Sequence, residues 1–162
     1  MMRMDKKSPE EVYQGLRSMA LSVRPEPLGV EVGVDEPYVV LMEFMVGEHS
    51  MTLVSVIDGS ASMYFSTGGG NIGGGKHDTI RDAAQQMIAL AGTLLDEMEV
   101  AYEFPLPSPG SVTFYVVTPS YTYTAVDEEY ALGHGRRPLS PLFFAGHSVI
   151  SEYRIILQRA GQ

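Results

Sequence analysis

The chain has 162 residues, of which 44% are hydrophobic and 19% charged, a composition typical of a folded globular protein. It contains no cysteine, which excludes disulfides, thiol catalysis and cysteine-ligated metal sites. Its 11 basic and 20 acidic residues give a net charge of −9, which argues against a general nucleic-acid binder. We expect one domain over residues 1–162, because this length can bury a core without disulfides or metals.

The N-terminus, Met1 to Lys7, is polar and lacks the apolar run of a signal peptide. No apolar segment is long enough to span a bilayer. We therefore expect a cytoplasmic protein without a membrane partner.

The first predicted element is a helix over about residues 9–23. Ser8 can cap it, Pro9 suits its first turn and Glu11 completes a capping box. Its apolar residues recur at helical spacing, namely Val12, Leu16, Met19, Ala20 and Val23.

Strands dominate the next part of the chain. The alternating valines at 30, 32 and 34 predict a short, half-exposed strand. Residues 38–46, 51–57 and 61–66 predict three more strands joined by short turns, the pattern of an antiparallel meander. The first of these three is apolar on both faces apart from Glu43, which indicates a central position in the sheet.

An unbroken apolar stripe from Ile80 to Met98 predicts a helix over about residues 78–98, the main packing element on the sheet. After a proline-rich crossing, residues 112–118 and 121–126 predict a hairpin. A long polar loop over residues 127–138 and a last helix over residues 142–157 complete the chain.

The element order α-β(β)ββ-α-ββ-α predicts the α+β class, with a mainly antiparallel sheet (meander plus hairpin) and three helices. This order resembles the secretion-chaperone-like fold, and the small size and acidic charge are similar to those of type III secretion chaperones. The resemblance covers most of the chain as topology. It implies a homodimeric module that binds a protein partner.

Six glycines lie among the eight residues 68–75, between a predicted strand and a predicted helix. Each costs roughly 0.5–1 kcal/mol of backbone entropy relative to alanine, so we expect the glycines to have a structural or functional role. It matches G-x-G-x-x-G, and it nearly matches a P-loop, except that His77 stands where Ser or Thr would hold magnesium. A dinucleotide-binding fold would need a parallel strand after the helix, and an NTPase would need an apolar strand that ends in Asp. The sequence after the helix predicts neither.

Backbone N–H groups at a helix start can still bind an anion. No Lys or Arg occurs over residues 25–75 or 82–135, so Lys76 and Arg81 are isolated cations beside the glycines. The candidate ligand-binding residues are Gly68, Gly69, Gly70, Asn71, Gly73, Gly74, Gly75, Lys76, His77 and Arg81. The alternative is an ordinary or mobile connection between strand and helix.

Two further motifs carry weaker alternatives. The long polar loop contains His134, Arg136 and Arg137. These residues could form a second anion contact, and the alternative is that they are solvated loop residues. Asp58-Gly59-Ser60-Ala61-Ser62 resembles the metal-site motif of von Willebrand factor A domains, although the flanking strands favour a hairpin turn. The four histidines show no ligand spacing, so we expect no metal and no cofactor.

Two functional hypotheses remain open. The first is a non-enzymatic interaction module, homodimeric and chaperone-like, that binds a protein partner through an apolar, methionine-rich surface. Its motivation is ten methionines beside no complete catalytic motif. The second is a phosphate-binding or small-ligand-binding domain, enzymatic or not, that uses the glycine segment.

Overall fold

The computed structural model describes residues 6–161, and the N-terminal stretch up to Asp5 lies outside them. The helices are α1 (Pro9–Leu21), α2 (Asp78–Thr93), α3 (Glu129–Gly133) and α4 (Ser140–Ala160). The strands are β1 (Val39–Val46), β2 (His49–Val56), β3 (Ala61–Phe65), β4 (Gly70–Asn71), β5 (Glu99–Val100), β6 (Ser111–Val117) and β7 (Thr122–Glu128). Over these residues no helix combines the length and apolarity needed to cross a membrane.

The seven strands form one open antiparallel sheet in the order β4-β3-β2-β1-β6-β7-β5. The predicted α+β class, the meander β1-β2-β3 and the hairpin β6-β7 are confirmed. β1 lies between β2 and β6, so the central position indicated by its apolar sequence is also confirmed. The edge strands β4 and β5 have two residues each, so each pairs with only two residues of its neighbour, β3 or β7.

The strand predicted over residues 30–34 is wrong, because this segment is a loop in which Val34 is exposed. Its chain neighbour β1 already pairs with β2 and β6, so the segment has no free ladder position beside it. Instead, the Val34 carbonyl accepts hydrogen bonds from the backbone N–H and hydroxyl of Ser120, at 3.1 and 2.8 Å.

The ends of three other predicted elements also differ. α2 ends at Thr93, and Leu95–Glu97 form a separate 3₁₀ turn. The predicted polar loop contains the end of β7 and a fourth, five-residue helix, α3. The last helix begins earlier and ends later than predicted, at Ser140 and Ala160.

The sheet carries helices on both faces. Val40, Met42 and Phe44 alternate along β1 and contribute to the larger core, under α2 and α4. Val39 and Leu41 point to the other face, where they join a smaller core that includes Ala20 of α1. The central strand is therefore buried on both sides, as its near-continuous apolar sequence requires.

Helix α1 buries only part of the apolar stripe whose spacing predicted it. Ser8 caps it as expected, accepting a hydrogen bond from the Glu11 N–H at 3.1 Å. However, its buried residues are Tyr13, Arg17 and Ala20, while Val12 and Met19 are 45% and 69% exposed. The helix is rotated so that polar side chains, not its most apolar stripe, meet the sheet.

A buried ion pair explains this rotation. The Arg17 Nε and Nη2 atoms lie 2.7 and 2.9 Å from the two carboxylate oxygens of Glu43, a bidentate pair with both side chains almost fully buried. Arg17 Nη2 also donates to the Pro105 carbonyl at 3.0 Å. Glu43 points to the α1 face of the central strand, and Arg17 of α1 supplies the cation that compensates its charge there.

Three hydroxyl groups complete this polar network. Thr52 donates to Glu43 Oε2 at 2.6 Å, and Tyr13 lies 2.6 Å from the Thr52 hydroxyl. Because Thr52 has one hydroxyl proton and gives it to the carboxylate, Tyr13 must be the donor to Thr52. Tyr115 donates to the same Pro105 carbonyl at 2.7 Å, which ties the proline-rich crossing to the sheet.

We predict that Glu43→Met and Arg17→Met each destabilise the fold by about 3–5 kcal/mol, since each leaves one buried charge uncompensated. The double variant should be more stable than either single variant. Urea unfolding followed by circular dichroism measures these differences. Arg24→Met, at the exposed Arg24–Glu26 pair, is the control and should change stability by less than about 1 kcal/mol. Additive losses in the double variant would contradict the role given to the pair.

Candidate functional site

The first half of the glycine segment is part of the sheet. Gly68 and Gly69 have φ values of 98° and 81°, which a turn from β3 to β4 requires and which glycine adopts without strain. Gly70 and Asn71 form β4, opposite Tyr64 and Met63 of β3. A Cβ atom at Gly70 would collide with the Met63 carbonyl.

The second half is closely packed. Gly74 is buried, and a Cβ there would overlap the hydroxyl end of Tyr153 and lie 2.9 Å from the Ile80 side chain. The same Tyr153 hydroxyl donates to the Ala61 carbonyl of β3 and is hydrogen-bonded by the Gly74 backbone. A Cβ at Gly75 would lie 3.1 Å from the Gly59 carbonyl oxygen. The glycines thus let the chain pass close to β3 and α4.

The cations near this segment already have internal contacts or point to solvent. Arg81 donates to the Gly75 carbonyl at 3.2 Å and pairs with Asp78. Lys76 and His77 are exposed, and their backbone N–H groups donate to the Gly73 and Gly74 carbonyls. Anion binding by this segment stays a prediction.

The second candidate loop forms a surface cluster around Tyr130. The His134 ring stacks on Tyr130 at 4.1 Å, and His134 Nδ1 lies 2.7 Å from the Tyr130 carbonyl oxygen. The Arg136 guanidinium carbon is 5.9 Å from the same ring's centroid. Arg137 pairs with Asp127 at 3.1 Å. All three predicted residues have internal contacts, and anion binding by this loop stays a prediction.

The Asp58 motif is a hairpin turn between β2 and β3, as the flanking strands favoured. Asp58 Oδ1 accepts a hydrogen bond from the Ser60 N–H at 2.9 Å, and Gly59 has a φ of 91°. Among residues 6–161, no three His, Asp or Glu side chains lie close enough together to hold a metal ion.

The structure contains an apolar groove that the sequence motifs did not locate. It has a volume of about 520 Å³ and lies between the C-terminal half of α4 and the sheet. We call it the α4 groove. Its sheet side is lined by Phe44, Val46, Met51, Met63, Phe65 and Asn71, and its helix side by His147, Ile150, Arg154, Leu157 and Gln158.

Strand register and helix periodicity create this groove. Phe44 pairs with Met51, and Met51 pairs with Phe65, so these three side chains form one row across β1, β2 and β3. On α4 the lining residues are three or four positions apart, which places them on one face of the helix. Asn71 is the one predicted site residue that lines the groove.

His147 is a half-buried polar group that lines the groove. Its ring stacks on Phe44 at 5.4 Å and meets Phe143 edge-on at 4.4 Å. The Nε2 atom is buried and has no hydrogen-bond partner within residues 6–161. Burial lowers the pKa of His147, and the charge of Arg154 lowers it further, so the ring is neutral at pH 7.

Comparisons with known proteins found no match: no protein family, no curated protein and no solved structure matches the chain.

We predict that His147 makes the fold less stable in mild acid. Its pKa is lowered on folding, so below about pH 6.5 the unfolded chain binds a proton that the folded chain does not. The free energy of unfolding should therefore fall as the pH drops from about 7 to about 5. In His147→Leu this fall should be smaller, whereas His49→Gln, at an exposed position, should retain it. Thermal melts across this range measure the effect, and equal slopes in wild type and His147→Leu would refute it.

We predict that Gly74→Ala destabilises the fold by about 1–3 kcal/mol, because the added methyl group displaces Tyr153 or Ile80. Gly15→Ala is the matched control, since no atom lies within 4 Å of its Cβ position in α1. That change should stabilise the protein by about 0.5–1 kcal/mol. Urea unfolding of both variants measures the contrast, and a neutral Gly74→Ala would show that the segment is not closely packed.

Proposed function

We propose that this chain is a non-catalytic interaction module that binds an apolar segment of a partner protein in the α4 groove. The observation that carries the proposal is the groove itself, an open cavity whose floor consists of Phe44, Met51, Met63 and Phe65. Methionine side chains are flexible and polarisable, so a floor rich in them adapts to different apolar side chains. Apolar clefts of this kind are common sites where another molecule docks.

The rim of the groove favours a polypeptide over a small molecule. Val46 and Leu157 line the groove and are 53% and 47% exposed. A small molecule confined to the cavity would leave much of this rim in water. A polypeptide lying along the opening would cover it and so bury more apolar surface.

The shape of the helix wall indicates the form of the bound segment. From His147 to Leu157, the lining residues of α4 extend over about 15 Å, or roughly three helical turns. An amphipathic helix of similar length has apolar anchors at the same three- and four-residue spacing, so it can lie along this wall. We therefore propose a partner segment of roughly ten to twelve residues.

The homodimer and the cytoplasmic location expected from the sequence remain predictions. Sedimentation velocity at micromolar concentration tests the dimer. A dimer that still binds peptides in the groove would agree with both parts of the interaction-module expectation, self-association and partner binding.

We predict that twelve-residue peptides selected from a displayed random library will include a class that binds the α4 groove. Leu157→Glu should weaken this class at least tenfold, because it places a charge on the apolar rim. Ile155→Glu is the matched control, since Ile155 is 40% exposed on the same helix and does not line the groove. It should change affinity by less than about twofold. Fluorescence anisotropy with labelled peptides measures the affinities.

Two outcomes would contradict the proposal. One is a selection that yields no peptide sensitive to Leu157→Glu. The other is that dodecanoate binds in the groove, with an affinity that Leu157→Glu lowers, and that no selected peptide competes with it. That second result would assign the groove to a small amphipathic ligand.

A further inference from the structure

The charges around the α4 groove differ from those of the chain as a whole. The chain carries 20 acidic and 11 basic residues. In the described part of the chain, however, Arg154 is the only charged side chain that lines the groove. His147 also lines it but is neutral, and no carboxylate among the described residues lines it. The groove is therefore a locally basic site in an acidic protein, which affects the charge of the partner that it suits.

Arg154 also lacks a carboxylate of its own. Among residues 6–161, four arginines pair with acidic side chains, namely Arg17, Arg24, Arg81 and Arg137, whereas Arg136 and Arg159, like Arg154, do not. Arg154 is exposed and makes no ion pair with any of residues 6–161. Its guanidinium group can offer its donors to a bound molecule.

Two amides accompany this guanidinium. Gln158 lies one helical turn after Arg154 on α4, and Asn71 lies on the sheet side of the groove, opposite Met63 in the ladder. Both side chains have NH₂ groups that can donate to an oxygen anion. Burial, and after it the charge of Arg154, lowers the pKa of His147 in the same groove.

We propose that the segment bound in the α4 groove carries an Asp or Glu whose carboxylate pairs with Arg154, next to the apolar side chains that occupy the floor. This inference rests on the proposed function and adds the chemistry of the partner to it. Arginine binds a carboxylate through two parallel hydrogen bonds, which would fix the register of the segment in the groove. A phosphorylated segment is less suited, because phosphate recognition uses clusters of arginines and the groove has one.

The experiment repeats the peptide selection on wild type and on Arg154→Glu. Leu157-dependent peptides from wild type should be enriched in Asp or Glu beside the apolar residues, and those from Arg154→Glu in Lys or Arg. A selected acidic peptide is then compared with its Glu→Gln or Asp→Asn counterpart. Wild type should bind the amide peptide roughly fivefold more weakly than the acidic peptide. Arg154→Gln should bind the two peptides with less than about a twofold difference in affinity.

Arg159→Gln is the control, since Arg159 is an exposed cation near the end of α4 that does not line the groove. It should retain the fivefold preference for the acid. The preference should also shrink at about 0.5 M salt, where exposed charges are screened.

The outcomes separate this inference from the proposed function. Leu157-dependent peptides without acidic enrichment overturn the inference and leave the interaction module standing. The same applies if the change from acid to amide costs wild type and Arg154→Gln equally. A selection without any Leu157-dependent peptide overturns both.

Discussion

The arrangement of this molecule depends on one buried ion pair, Arg17 with Glu43, on the central strand of the sheet. A carboxylate in that position is tolerated only with a partner of opposite charge and with its remaining acceptor sites filled, as Thr52 does here. The pair sets the rotation of α1 on the sheet. Through the Pro105 carbonyl it also anchors the proline-rich crossing, so three separate parts of the chain meet at one polar centre.

The opposite face of the same strand carries the proposed binding surface. Phe44 follows Glu43 directly, so alternation along β1 places it on the α4 side. There the glycine segment positions the helix, because Gly74 leaves space for Tyr153 of α4 to reach the Ala61 carbonyl. Close contacts of this kind hold one part of α4 tightly on the sheet, while other residues of the same helix line an open groove.

The proposed function follows from the contrast between this groove and its surroundings. The groove places an apolar floor and an exposed apolar rim beside Arg154 and the two amides. Phe44 and Met51 are buried at the floor of the groove, whereas Val46 and Leu157 at its rim are 53% and 47% exposed, so an occupant that covers the rim would bury apolar surface. His147 lies in the same groove, and its Nε2 atom is buried without a hydrogen-bond partner within the described residues.

The local elements could be predicted from the amino-acid sequence: the capped start of α1, the meander, the helix after the glycines and the hairpin. Capping and hydrophobic periodicity act over a few residues, so they can be recognised without knowing the rest of the fold. Long-range packing determines what the sequence patterns missed. The valines at 30, 32 and 34 form no strand because β1 has no free side, and α1 turns its apolar Val12 and Met19 outward because Arg17 must meet Glu43. The groove joins residues of four strands to distant residues on α4, and strand register and helix packing, not local pattern, bring them together.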